Sequence, residues 1–334
     1  MEVIMKISRI LLVAFITLCL VLTGATAFAG KKKDGPLTFL FVPGETDPFY
    51  FSIAKGAKEK AAELGVTLKI TEYPKAWGPE VQTPIMDAAV AMGDIDLVIV
   101  APTSNDAMIA PLKRVYDMGI EVITVDTYIG DGDYSKKSEF SFPLAYIGTD
   151  NKLGGVRVAE KMAELSGAKG KFYCNSTSPD VSSNNDRYLG FKEGLAKFPN
   201  MEFVGVDYNL EQQQRAQQQV FTKLQSIPDL RGVFGTNIWS AQGAYQAVVN
   251  AGKREQLIIA AWDASDDLIN ALKAGKVDFI LAQKPAEMGA LAVEWGYKFF
   301  KEGAEVPKNQ TPGFEFFTSK NVNDPNMQKW IYGH

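Results

Sequence analysis

Histidine is all but missing from this 334-residue chain, since the single one, His334, is its last residue. A Ser-His-Asp triad, a structural zinc site and a His-ligated catalytic metal all need an imidazole held inside the fold, which a chain end rarely provides. Cysteine is almost as scarce. Cys19 and Cys174 lie far apart and form no C-x-x-C pair, so no metal knot or dithiol redox motif is available. There is no basic excess either: 35 Lys and Arg stand against 39 Asp and Glu, a net charge of -4, which argues against nucleic acid as a partner. Glycine-rich phosphate turns of the G-x-G-x-x-G or G-x-x-x-x-G-K-[ST] kind follow none of the predicted strands, so no nucleotide cofactor, and no cofactor of any other kind, is expected. What is there is ordinary globular material. With 46% hydrophobic and 22% charged residues the chain can bury one large core or two of about 150 residues each, which excludes disordered and collagen-like classes.

The N-terminus has the layout of a secretory signal peptide. Lys6 and Arg9 precede an apolar run over 10–22, and a small-residue stretch ends in Ala27-Phe28-Ala29. Cleavage after Ala29 is expected, leaving a mature chain with 33 basic and 38 acidic residues, a net of -5. Cys19 sits inside the apolar run and not at the cleavage point, so lipid anchoring is not expected. The competing reading is an uncleaved membrane anchor, because the run is nearly long enough to span a bilayer. The A-x-A pattern favours cleavage, and nothing later in the chain has transmembrane length. A periplasmic protein is the expectation.

From residue 37 onward, β-rich runs alternate with helical patterns about every 25 to 35 residues, the signature of βαβ units around a parallel sheet. Strands are predicted over 37–42, 68–71, 97–101 and 121–125, then over 171–174, 203–206, 232–234, 257–261 and 279–282. Amphipathic helices are predicted over 53–64, 108–118, 153–165, 189–197, 216–224 and 268–273, with a long helix over 286–300 and a last strand over 314–317. Gly65, Gly119, Gly167, Gly252 and Gly275 stand where helix C-caps belong. The polar stretch 131–143 is rich in Asp, Gly and Ser, lacks apolar periodicity, and is the candidate boundary between the two strand groups.

Ligands of open α/β sheets bind outside the carboxyl ends of the strands. Reading the residues after each predicted strand gives Asp47, Phe49 and Tyr50, then Asp106, then Asp126 with Thr127, then Arg187, Asn237, Trp262 with Asp263, and Gln283. Every loop offers a planar hydrogen-bonding group or an aromatic ring. Sugars and polyols have C–H faces that stack on rings and hydroxyls that both donate and accept, so Asp, Asn, Gln and Arg satisfy them with paired bonds.

These residues carry a resemblance. The turn Asp47-Pro48-Phe49-Tyr50 is similar to an N-P-F-[FWY] motif. Asp126 closes the run Val122-Ile123-Thr124-Val125, and Thr149-Asp150-Asn151 precedes Gly154-Gly155. Arg187 stands ahead of Gly190-Phe191, Asn237 follows Val233-Phe234, Trp262-Asp263 replaces an F-D pair, and Gln283 follows Ile280-Leu281-Ala282. In order and spacing the whole mature chain resembles the ribose-binding-protein-like sugar receptors of ABC importers, the type I periplasmic binding proteins. The resemblance implies an α/β fold of two Rossmann-like lobes, each a parallel sheet flanked by helices, joined by a three-stranded hinge and closing on the ligand. It implies an N-terminal lobe over 36–148 plus 285–315 and a C-terminal lobe over 149–284 plus 316–334, after a signal peptide over 1–29. It also implies Phe49, Tyr50 and Trp262 as stacking faces, Asp126 and Asp263 as bidentate acceptors, and Arg187, Asn237 and Gln283 as donors.

Departures from the family pattern are Thr127, where ribose-type members often have Arg; Glu211 and Gln212, near which an aromatic is common; Ile238, where an acidic residue is frequent; and a long 131–142 stretch. Ribose itself is therefore not expected to be the best ligand. Asp150 and Asn151 read as helix N-caps, Cys174 as an inert buried thiol, and Trp77 and Trp239 as either cleft rim or plain core. The expected function is a non-catalytic, monomeric receptor that passes a small neutral sugar or polyol to a membrane permease. Alternatives are an exported carbohydrate-active enzyme using Asp126 with Asp263, or a receptor reporting to a sensor kinase or chemoreceptor.

Overall fold

A computed structural model describes residues 32–332; the signal-peptide reading, Cys19 and His334 lie outside them. The chain first builds β1 (Thr38–Val42), α1 (Pro48–Leu64), β2 (Thr67–Ile70), α2 (Pro79–Ala91), β3 (Leu97–Val100), α3 (Ile109–Asp117), β4 (Glu121–Val125) and β5 (Ala145–Ile147). There follow α4 (Asn151–Ser166), β6 (Lys169–Ser176), α5 (Ser182–Leu195), β7 (Asn200–Tyr208), α6 (Gln213–Ser226), β8 (Leu230–Gly235) and α7 (Ile238–Asn250). The last part holds β9 (Ile258–Trp262), α8 (Asp266–Lys273), β10 (Phe279–Gln283), α9 (Pro285–Tyr297), β11 (Asn309–Gln310) and β12 (Phe314–Thr318).

The strands form two six-stranded sheets, ordered β11-β5-β4-β3-β1-β2 and β12-β10-β9-β8-β6-β7. All neighbours are parallel except β12, which runs antiparallel to β10. Helices cover both faces, so β3, β4, β9 and β10 are buried throughout, and β3 and β9 read as unbroken apolar runs. The chain passes from one sheet to the other three times: between β5 and α4, between β10 and α9, and between β11 and β12.

The predicted strands all form, with ends shifted by a few residues. Gly65, Gly119, Gly167, Gly252 and Gly275 all adopt positive φ, as helix C-caps do. The candidate boundary fails. Residues 131–143 fold back onto the first sheet's core, with Tyr134 buried there, its hydroxyl accepting from the Ile129 N–H at 3.1 Å and paired with the Thr124 hydroxyl at 3.0 Å. The chain leaves that sheet only after β5, an element that two hydrophobic residues around a tyrosine were too short to announce. The expected helix over 286–300 ends at Tyr297 and continues as a π-helical turn, Lys298–Glu302.

Candidate functional site

The carboxyl ends of the two sheets face each other, and the loops there meet. Asp47 caps α1: its Oδ1 accepts the Phe49 N–H at 2.6 Å and the Tyr50 N–H at 3.2 Å, with Pro48 in the first turn, where its missing N–H costs nothing. This cap turns the Phe49 and Tyr50 rings toward the second lobe. Asp126 ends β4 and Asp263 ends β9 in matching ways. Each has positive φ, 62° and 78°, and each backbone N–H donates to the adjacent strand, to Ile147 O and Leu281 O. Aspartate is among the few side chains that tolerate this conformation, so one backbone device aims both carboxylates into the cleft.

Arg187, on the first turns of α5, stands between them, 2% exposed. Its Nε donates to Asn151 Oδ1 at 2.8 Å and its Nη1 to the Thr236 carbonyl at 2.9 Å. Asp126 and Asp263 approach the guanidinium at 3.7 and 3.9 Å, close enough for charge compensation and too far for hydrogen bonds. The Tyr50 hydroxyl donates to Asp126 Oδ2 at 2.8 Å. Asp263 accepts from Gln283 Nε2 at 2.8 Å and from the Tyr332 hydroxyl at 3.2 Å, and Thr149 donates to Gln283 Oε1 at 2.8 Å. Asn237 caps α7 and donates from Nδ2 to Glu211 Oε2 at 2.5 Å.

Contacts between the lobes close the cleft. Trp239 Nε1 donates to Glu45 Oε1 at 3.1 Å, the Tyr128 hydroxyl to Asp186 at 2.8 Å, and the Tyr128 N–H to Ser182 Oγ at 3.0 Å. What remains between the lobes is a small hollow, partly open to solvent. A larger hollow of about 370 Å³ flanks the crossing segments, lined by Tyr128, Asp131, Lys152 and Lys308 among others, but neither strand-end aspartate faces it.

Asp47, Phe49, Tyr50, Asp126, Arg187, Asn237, Asp263 and Gln283 all line the inner cavity. Two expected residues do not. Asp106 is exposed on the turn after β3. Trp262 is fully buried and offers no stacking face; it packs on Phe234 with its ring 4.5 Å beneath the Arg187 guanidinium. As the last residue of β9 it turns toward the helices while Asp263 turns to the cleft. Gly154 on α4 makes room for it: a Cβ there would lie 2.3 Å from the indole. Asn151, expected as a cap, instead anchors Arg187, while Asp150 caps α4 through the Leu153 N–H. Glu45, Trp77, Ser183, Asn184 and Glu211 also line the cavity. Glu45 could have been found, since it lies in the same post-strand loop as Asp47. Tyr332 and Thr149 could not, because they reach the site across long sequence separations.

The lining holds five carboxylates, Glu45, Asp47, Asp126, Glu211 and Asp263, against one guanidinium. Burial pushes Glu45 up to about 7, opposed by the Trp239 bond, and Asp126 up to about 6, opposed by Arg187 and the Tyr50 bond. Burial also holds Asp47 and Glu211 well above the usual carboxylate range and raises Asp263. Such a site is rich in carboxyl groups, and the raised ones are shifted toward the neutral form, which donates as well as accepts. Among the described residues no cluster of His, Cys, Asp or Glu could hold a metal ion, and no helix is long and apolar enough to cross a membrane. Cys174 is buried and unpaired, its thiol pKa raised by burial.

A family model described as a periplasmic binding protein domain matches residues 39–304. The chain belongs to the periplasmic binding protein family. This periplasmic binding protein is similar to the D-allose-binding periplasmic protein of Escherichia coli, 25% identical over 304 residues, covering 91% of this chain and 95% of that protein. It is 27% identical over 257 residues to the ribose import binding protein of Salmonella typhimurium, covering 76% and 81%. In structure it is similar to an ABC transporter solute-binding protein of Agrobacterium vitis bound with α-D-tagatopyranose, with a TM-score of 0.86, 36% identity and coverage of 89% and 100%. The two-lobed α/β fold is that of these relatives, and family membership implies the periplasm. The relatives are binding proteins for import, not enzymes, so the carbohydrate-active enzyme alternative falls.

Proposed function

We propose that the protein captures one uncharged monosaccharide or sugar alcohol between its lobes and delivers it to the permease of an ABC importer. The observation that carries this reading is Arg187, held by Asn151 and Thr236 between Asp126 and Asp263 without hydrogen-bonding either. Neighbouring sugar hydroxyls fit such an array, donating to the carboxylates while accepting from the guanidinium. Phe49, Tyr50 and Trp77 supply apolar ring surface, and Asp47, Asn237 and Gln283 fix the remaining hydroxyls. The surplus of carboxylates supports an uncharged ligand over a sugar acid or phosphate. The lobes are residues 36–148 with 285–315, and 149–284 with 316–334. The protein acts as a monomer, makes no use of nucleic acid, and is exported by cleavage after Ala29.

Calorimetry across a panel of pentoses, hexoses and alditols tests the reading. It predicts a neutral member at micromolar affinity or better, about 8 kcal/mol, with little salt dependence. A uronate or sugar phosphate as the tightest binder, weakening steeply with salt, overturns it.

A further inference from the structure

Beside the inner cavity lies a second hollow of about 370 Å³, partly open to solvent. Trp77 and Glu211 line both, so the two adjoin across these side chains. Its walls come from both lobes, with Trp77, Pro79 and Thr103 on one side and Thr177, Val181 and Leu210 on the other. It is thus assembled by the same closure that forms the inner cavity.

Three features of this outer pocket are unaccounted for by a monosaccharide. Thr177 is fully buried, yet its hydroxyl has no hydrogen-bond partner, a deficit worth about 1–3 kcal/mol unless a ligand makes it good. Leu210 is 51% exposed although apolar. It and Glu211 are both non-glycine residues at positive φ, 54° and 59°, a conformation that persists only where surrounding structure enforces it. This strained pair sets an aliphatic side chain in the outer pocket and a carboxylate at the junction of the two. Opposite, the Trp77 indole is fixed by its N–H, which donates to the Thr103 carbonyl at 2.7 Å, and presents the kind of face on which a ring packs.

We infer that the outer pocket is a second subsite, taking a ring joined to the sugar in the inner cavity, so that the natural ligand is a glycoside carrying a second ring. The inference rests on the sugar-receptor reading above. The ring needs one apolar face for Trp77 and Leu210 and a polar group within reach of the Thr177 hydroxyl, which fits a second sugar unit or a hydroxylated aryl group.

The test is calorimetry with the full mature chain, using the tightest monosaccharide of the panel, its methyl glycoside, its 4-hydroxyphenyl glycoside, and disaccharides in which it is the terminal unit. A ring-bearing ligand should bind at least about tenfold more tightly than the methyl glycoside. Its being the phenyl glycoside or a disaccharide identifies the ring. Thr177→Val, nearly isosteric, and Leu210→Asn, compatible with positive φ, should each remove most of that gain while leaving the methyl glycoside within about twofold of wild type. Unchanged circular dichroism and methyl-glycoside binding show that the variants fold. Free sugar binding at least as tightly as every ring-bearing ligand overturns the subsite and leaves the receptor reading standing, whereas failure of every sugar, free or substituted, overturns both.

Discussion

Replacing Arg187 by alanine probes the site at its centre, and the structure sets the size of the effect. The guanidinium donates two hydrogen bonds, to Asn151 and to the Thr236 carbonyl, covers the Trp262 ring at 4.5 Å, and is the one cation between two buried carboxylates at 3.7 and 3.9 Å. Removing one member of such a buried set typically costs about 3–5 kcal/mol, mostly because the partners are left uncompensated. For a protein of this size that lowers the melting temperature by about 5–8 °C. Because Arg187 is buried, the loss falls on the empty protein as well as on binding. Binding should weaken by about 2–5 kcal/mol, or about 30- to 4,000-fold. The loss should also depend on pH. Without the arginine, Asp126 and Asp263 rise further and take up protons more readily, so the stability deficit should shrink between pH 8 and pH 5. Differential scanning calorimetry and titration calorimetry across that range measure both. A variant with wild-type affinity and melting temperature at pH 8 would refute the argument.

Trp262→Phe should weaken sugar binding less than about tenfold, since the ring supports Arg187 from below, and should leave the ligand-induced tryptophan emission change largely intact; Trp77→Phe should abolish most of it, and the reverse pattern in fluorescence titrations would return Trp262 to the cavity. Glu45 is raised from its ordinary 4.5 to about 7, so its stabilising contribution is complete below about pH 4.5 and is lost as pH rises through 7. The empty protein should therefore melt progressively lower from pH 5 to pH 8, with Glu45 responsible for at most about 3 kcal/mol; Glu45→Gln should flatten that slope, and an unaltered slope in thermal melts would contradict the assignment. Gly155→Ala would bring a Cβ to 2.2 Å from the Arg187 carbonyl, forcing α4 away from α5. Chemical denaturation and calorimetry should show losses of both stability and affinity, and a neutral result would mean the helices give way freely.

How far the sequence reached depended on the range of the interactions involved. Strand–helix alternation and glycine caps are local signals, and they placed the strands of both sheets apart from β5 and β11. Those two span three and two residues, too few to alternate visibly. Helix α2 was missed because Pro84 interrupts its pattern, and α7 because much of it is buried, leaving little polar contrast. Asp126 and Asp263 were legible because each directly follows a buried, β-rich strand and suits the positive φ found there. Asn151 and Tyr332 were not legible as site groups, since their partners lie 36 and 69 residues away. Trp262 was misread through its neighbour: adjacent residues at a strand end turn to opposite sides, so only Asp263 of the pair lines the cavity.

The central claim is that a sugar sits at the facing carboxyl ends of the two sheets, gripped by Arg187 between the strand-end aspartates. A crystal structure with the tightest sugar of the panel tests it most directly. The account predicts one sugar ring in the inner cavity beside Phe49, Tyr50 and Trp77, with its hydroxyls hydrogen-bonded to Asp126, Asp263 and the Arg187 guanidinium. Ligand density in the hollow beside the crossing segments, with Arg187 untouched, would contradict it.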